Sequence, residues 1–401
     1  MTQPTSGKAD RPAPSGPSDP ERSVQTRMEK LGQLRERGIE PFAYNYARTD
    51  RARAVASAFE AAEAAGALSE RGQGEEVRIG GRMVAFRGHG KSAFADLEDG
   101  SGRIQVYFRR NLVGAQAFEN LDLLDLGDWI GAQGRLFRTR MGQITVQVSA
   151  WTLLTKSLRP LPLGKTEVDS GTGERTTHSG FADTAARYRQ RYADLAVNPE
   201  VRQVFRARSR IVTTARRFLD AHGFLEVETP VLQPLYGGAT ARPFVTRHHS
   251  LDTRLFLRIA DELYLKRLIV GGFERVYELS KDFRNEGLSR FHNPEFTMLE
   301  FYQAFADYHD MMALVEELVT EIATEVTGDA IVTYQGERIS LVPPFKRIRL
   351  MEALGAALGE DPLEMDDEAL STRATLITSP FSLPSILLHG RGAGKAHRQA
   401  F

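Results

Sequence analysis

The pattern of apolar and polar positions changes period along the chain. Over 21–37 and 50–66 the apolar residues recur at helical spacing, and Asp50 stands where it could cap the second, alanine-rich stretch. Near Glu76 the period drops to two. VRIGGRMVAF, SAFADLEDG, GRIQVYF, DWIGAQGRLF and ITVQVSAWTLL are short alternating runs divided by Gly or Asp-Gly. Five such strands in roughly eighty residues predict a small barrel of the OB type. A Pro/Gly-rich stretch over 158–177 reads as a linker. A long helical pattern over 198–222 is stopped by Gly223, and FLEVETP follows as a strand ended by Pro230. Further strands are expected over 254–260, 274–284 and 294–302, and a further helix over 308–327. The two ends differ from the rest. The first twenty residues are polar and rich in Pro, Ser and Gly, which predicts disorder, and the 33 residues from Ala369 onward contain no Asp or Glu and fit neither period.

The gross numbers narrow this picture. At 401 residues the chain is long enough for two or three domains with separate cores. With 52 basic and 52 acidic residues the net charge is zero and gives no sign of a nucleic-acid partner. Local charge is more informative: residues 77–111 hold seven Lys/Arg against three Asp/Glu, and 129–166 hold six against none. The absence of cysteine excludes disulfides, thiolate metal sites and a thiol nucleophile. No apolar run approaches membrane-spanning length, and the polar N-terminus lacks the apolar core of a signal peptide. A cytoplasmic enzyme or binding protein is the expectation.

Candidate chemistry concentrates in FRNEGLSRFHNPEFTMLEFY, residues 283–302. Alternation on either side of Gly287 and Ser289 predicts strand, loop, strand. Val276, Glu278, Ser280, Asp282 and Arg284 then share one face of the first strand, and Phe296, Met298, Glu300 and Tyr302 one face of the second. Arg284 offers a planar fork for a phosphate or carboxylate. Arg290 and His292, on the loop, could reach phosphate oxygens further out. Phe296 could stack on a purine. Glu300 and Glu262 supply negative charge for an ammonium group, and Tyr302 adds a hydroxyl. Gly237 and Gly238 permit close backbone approach. Taken singly, each has an ordinary structural explanation: a core ring, a solvated carboxylate, a turn glycine. Their order within one unit points to a site.

That order, FRNEGLSRFHNPEFTMLEFYQAFADY, closely resembles motif 2 of class II aminoacyl-tRNA synthetases in their lysine-specific form. Upstream, ETPVLQPLYGGATARPF resembles the end of motif 1 and the substrate loop. LFLRIADELYLKRLIVGGFERVYELSKDFRNEG continues the pattern, with Asp261 where the family usually has Pro. RMVAFRGHGKSAFADLEDGSGRIQVY resembles the family's anticodon-binding barrel, and the likeness runs from about Met28 to about Pro362.

The resemblance implies an α+β multidomain fold: an N-terminal OB-fold barrel, then a class II antiparallel sheet flanked by helices, with its C-terminal part missing. The chain would divide into a disordered tail (1–24), N-terminal helices (25–75), the barrel (76–158), a linker (159–197), a partial catalytic domain (198–365) and an atypical tail (366–401). It implies a lysine–tRNA ligase of protein biosynthesis, with ATP and lysine as substrates, tRNA(Lys) as partner and a homodimer built on motif 1. By the same resemblance Arg284 binds the α-phosphate and the amino-acid carboxylate. Glu286, His292, Asn293 and Phe296 join it at ATP, with Phe296 on adenine. Gly238, Glu262, Glu300 and Tyr302 bind lysine, and Phe94 and Gln105 stack on and read the anticodon's central uridine. The family's third motif and its acidic pair for Mg2+ are not seen, so no metal ligand is identified within the chain. RGAGKAH at 391–397 fits neither the third motif nor a P-loop. The tail therefore reads as a truncated or foreign end, and the chain on its own is expected to be poorly soluble or inactive in adenylate formation. Two other readings stay open: a non-catalytic RNA-binding or dimerisation fragment, and a relative that attaches lysine to protein.

Overall fold

The computed structural model describes residues 20–68, 73–168, 175–178, 180–289, 291–366 and 368, and the chain divides into two units, 1–199 and 200–401. The first unit opens with helices α1 (Pro20–Glu36) and α2 (Ala52–Ala64). Five strands follow: β1 (Gln73–His89), β2 (Ser92–Glu98), β3 (Arg103–Arg109), β4 (Trp129–Arg138) and β5 (Ile144–Thr155). Short helices α3 (Arg110–Val113) and α4 (Ala115–Glu119) and a 3-10 turn over Asn120–Leu123 link β3 to β4. The strands close a barrel in the order β1-β2-β3-β5-β4, with β3 and β5 parallel and the other pairs antiparallel.

Alternation places Ala93, Ala95 and Leu97 of β2 and Ile104, Val106 and Phe108 of β3 inside the barrel. Ala52, Val55 and Phe59, at helical spacing on α2, pack onto the same core. Asp50 does not cap α2. The backbone is still extended at Arg51, and the first helical N–H, of Ala52, donates to Asp99 Oδ2 at 3.0 Å from the β2–β3 turn. The cap is supplied 47 residues away, which a local pattern does not reveal. A bulge between Gln133 and Gly134 lets β4 curve. A Cβ at Gly134 would lie 2.0 Å from the Gln147 carbonyl oxygen, so only glycine fits there.

The stretch expected as a linker holds more structure than a linker. It contains a hairpin, β6 (Lys165–Val168) with β7 (Arg175–His178), and helices α5 (Thr184–Arg189) and α6 (Arg191–Val197). Buried Asp194 joins the two helices through ion pairs to Arg187 and Arg191. Of the residues expected to be disordered, Pro20 onward belongs to α1 and 1–19 lie outside the described residues; so does almost all of the atypical tail.

The second unit begins with α7 (Pro199–Ala221) and the short strands β8 (Leu225–Glu226) and β9 (Leu232–Gln233). Then come β10 (Val245–His248), β11 (Thr253–Leu257), α8 (Glu262–Val270), β12 (Arg275–Phe283), β13 (Glu295–Gln303) and α9 (Tyr308–Thr327). A hairpin of β14 (Ile331–Tyr334) and β15 (Glu337–Ser340) and helix α10 (Leu350–Leu358) complete it. One sheet runs β13-β12-β8, another β10-β11-β9. FLEVETP contributes two strand residues rather than a full strand, and β8 pairs parallel with β12, so this sheet is mixed where an antiparallel one was expected. Phe218 and Leu219 of α7, Tyr277 of β12 and Leu318 of α9 form the core, with Leu299 and Phe301 of β13 packed on it. α9 starts at a capping box of Asp307 and Asp310 and ends at left-handed Gly328. The core fixes one face of the β12–β13 hairpin and leaves the other for chemistry.

Candidate functional site

The register of β12 and β13 sets Val276 opposite Tyr302, Glu278 opposite Glu300, Ser280 opposite Met298 and Asp282 opposite Phe296. Directly opposed residues share a face. The face away from the Tyr277–Phe301 core therefore carries a carboxylate, a serine and a second carboxylate on β12, with a ring, a carboxylate and a phenol on β13.

Arg258, between β11 and α8, organises this face from below. It is 4% exposed, and its Nη1 meets Glu278 Oε1 at 2.6 Å and Asp261 Oδ1 at 3.1 Å, while Nε lies 3.4 Å from Asp282 Oδ1. Thr229 donates its hydroxyl to the other Glu278 oxygen at 2.6 Å, and Ser280 donates to Asp261 Oδ2 at 2.7 Å. Burial pushes the carboxyls of Asp261 and Asp282 up, to about 7 and about 6. The hydrogen bond from Ser280 opposes the rise at Asp261, and Arg258 opposes it at Asp282.

Glu300 is held between two donors. The Asp261 N–H donates to Oε1 at 3.3 Å and the Tyr302 hydroxyl to Oε2 at 3.2 Å. Burial, with Glu300 and Glu262 nearby, pushes the Tyr302 phenol well above its ordinary range, so it stays a donor. Glu262 accepts from Lys266 Nζ at 2.7 Å, and the same ammonium lies 5.9 Å from the centre of the Tyr302 ring. An alkylammonium thus already rests against Glu262 and Tyr302. Gly238 completes this corner. Its φ is +86°, and a Cβ there would sit 2.8 Å from Glu262 Cβ and 3.1 Å from Ala260 Cβ.

At the hairpin's loop end, Arg284 donates from Nε and Nη2 to the Ile259 carbonyl at 3.3 Å each, and its guanidinium lies 5.0 Å from the centre of the half-buried Phe296 ring. A cation beside a flat ring suits a phosphate next to a base. His292 Nδ1 is 2.6 Å from Ser289 Oγ within the loop.

In the first unit, Phe94 lies on the outer surface of the barrel rather than among its core residues. Register sets it opposite Tyr107, and the rings stack at 4.4 Å and 20°. Tyr107 in turn meets Phe137 at 6.2 Å. Gln105 is beside them on the same face of β3, its side-chain oxygen accepting from Thr145 Oγ1 at 2.9 Å. A cleft of about 330 Å³ opens at Gln105, Asp96, Arg103 and Arg138.

Two family descriptions match this chain: "tRNA synthetases class II (D, K and N)" over 183–382 and "OB-fold nucleic acid binding domain" over 77–154. A lysine–tRNA ligase of Carboxydothermus hydrogenoformans is 52% identical over 338 residues, which cover 84% of this chain and 64% of that protein. Those of Pelotomaculum thermopropionicum and Bacillus subtilis are 50% and 47% identical, covering 84% of this chain and 62% and 64% of theirs. The chain belongs to the class II aminoacyl-tRNA synthetases. It spans somewhat less than two thirds of the length of these relatives.

Within this class II synthetase, the structure brings Gly238, Glu262, Glu300 and Tyr302 to one corner and Arg284 and Phe296 to another of the same face. Glu286, His292 and Asn293 are exposed on the loop, and among the described residues no hydrogen bond ties them to Arg284 or Phe296. Arg290 lies outside the described residues. Sequence reasoning missed Arg258, the hub of the buried charges; the signal was a lone cation inside the apolar run LFLRIA. It also missed Tyr107 and Phe137, although both follow from the period-two alternation once Phe94 is placed outward.

Proposed function

We propose that the protein activates lysine with ATP and transfers it to tRNA(Lys). The observation that carries this reading is the corner of Glu262, Glu300 and Tyr302 closed by Gly238. It offers two carboxylates and a phenol to a diamino acid, and it already accommodates the ammonium of Lys266. Adenine stacks on Phe296, and Arg284 meets both the α-phosphate and the lysine carboxylate. Glu286, His292 and Asn293 close on the nucleotide from the loop. A lysine carboxylate oxygen attacks the α-phosphorus, a phosphorus–oxygen bond forms, and the bond to pyrophosphate breaks. The terminal ribose hydroxyl of tRNA then takes the lysyl group and AMP leaves. No protein nucleophile is required; alignment and charge neutralisation lower the barrier.

Magnesium bound with the nucleotide would add neutralising charge along the polyphosphate. Glu278, Asp261 and Asp282 are held around Arg258 rather than along the phosphate-binding loop, and Arg284 is the group offered to the α-phosphate. Phe94, Tyr107 and Gln105 form the face for the anticodon, where base stacking contributes about 1–3 kcal/mol per base. A C2 homodimer is part of the reading: α7 exposes Val204, Phe205 and Ile211, an apolar strip suited to a second copy. No helix among the described residues is long and apolar enough to cross a membrane, and we place the protein in the cytoplasm.

A non-hydrolysable lysyl-adenylate analogue tests the reading by calorimetry. Saturable binding is expected, weakened at least about tenfold by Arg284→Ala and by Glu300→Gln, a loss of about 1.4 kcal/mol or more. Equal affinity for the seryl analogue would contradict it.

A further inference from the structure

One buried group of charges is not balanced by the residues that pack on it. Asp261 and Asp282 have no exposed surface, and each keeps a carboxylate oxygen without a hydrogen-bond donor, Oδ1 of Asp261 and Oδ2 of Asp282. Asp261 Oδ1 has only the off-axis approach of Arg258 Nη1 at 3.1 Å. With Glu300, these two residues set three carboxylate oxygens within 4.8 Å of one another. Glu278 is a fourth carboxylate of the group. The cations are two, Arg258 and Arg284, the second acting on Asp282 from a distance. Four carboxylates facing two guanidinium groups leave an excess of two negative charges, with Asp261, Asp282 and Glu278 buried and Glu300 half-buried. Buried charge without a partner is unfavourable, so a cation or protons must neutralise it.

Geometry favours a cation. Hard divalent ions bind carboxylate and hydroxyl oxygens at about 2.0–2.6 Å, and oxygens within 4.8 Å of one another can share one ion at the longer of these bond lengths. The donor set is all oxygen, with the Ser280 hydroxyl beside it. Arg258 approaches Asp282 through Oδ1, which leaves Oδ2 for the ion. We propose that Asp261, Asp282 and Glu300 hold a hard divalent cation beneath the amino-acid corner. It is separate from any ion travelling with the nucleotide. By holding Glu300 from the side opposite Tyr302, it positions that carboxylate.

The test uses chelator-treated protein without lysine or ATP, so it is independent of the proposed activity. Mn2+ is titrated at pH 7.5 and the free ion followed by paramagnetic resonance. One saturable site per chain is expected, at least about tenfold weaker in Asp261→Asn and in Asp282→Asn, and unchanged in Asp252→Asn on an exposed turn. Near-UV circular dichroism checks that each variant is folded. If Asp282→Asn fails to fold, Glu300→Gln, at a partly exposed position, carries the same expectation. Absence of a saturable site in the parent protein, or a site equally strong in these cluster variants, overturns the proposal and leaves protons as the neutralising charge.

Discussion

Single residues decide whether the charged face on β12–β13 holds its shape. Arg258→Met would leave Glu278, Asp261 and Asp282 buried without their shared guanidinium. Stability should fall by about 3–5 kcal/mol, read from urea unfolding of the second unit. Gly238→Ala meets both a left-handed φ and a Cβ at 2.8 Å, so it should cost about 1–3 kcal/mol and weaken lysine binding. Calorimetry with lysine on the folded variant separates the two effects. The facing of Glu278, Ser280, Asp282, Phe296, Glu300 and Tyr302 was legible in the sequence because a strand's period of two is rigid. Arg258 was not, because its partners come from β12 and from the start of α8, and no local pattern encodes that meeting.

At the scale of elements, the barrel rests on a buried ion network as well as its apolar core. Lys156 is 2% exposed and reaches Asp125 at 2.5 Å, Asp128 at 2.8 Å and the Leu123 carbonyl at 3.0 Å. Burial works to raise the Asp125 carboxyl, but the hydrogen bonds from Lys156 and Lys30 outweigh it and hold the group below its ordinary value. The unfolded chain therefore binds the proton more readily, and this contribution to stability is present above about pH 4 and lost as the pH falls further. Thermal unfolding of the barrel unit between pH 6 and pH 3 should show that decline, and Lys30→Met should flatten it. On the outer face, Phe94→Ala should weaken binding of a tRNA(Lys) anticodon stem-loop by about 1–3 kcal/mol with little change in melting temperature, since the ring is not part of the core. Filter binding and calorimetry check the two halves of that statement. The five barrel strands were readable from alternation and glycine. The outward placement of Phe94 came only through resemblance, because alternation does not say which face of a strand turns inward.

For the whole molecule, each unit has its own core, so residues 20–199 should fold alone and keep anticodon stem-loop binding. The order of elements was largely legible. The parallel pairing of β8 with β12, the β6–β7 hairpin and helices α5 and α6 were not, since pairing partners and Pro/Gly-rich hairpins leave weak periodic signals. The central claim is that the second unit recognises lysine through Glu262, Glu300 and Tyr302. Calorimetry comparing lysine with norleucine, which keeps the chain length and lacks the side-chain ammonium, tests it most directly. The account predicts that lysine binds at least about a hundredfold more tightly, about 2.7 kcal/mol, and that Glu262→Gln removes most of that difference. Equal binding of the two amino acids, or discrimination untouched by Glu262→Gln, would contradict it.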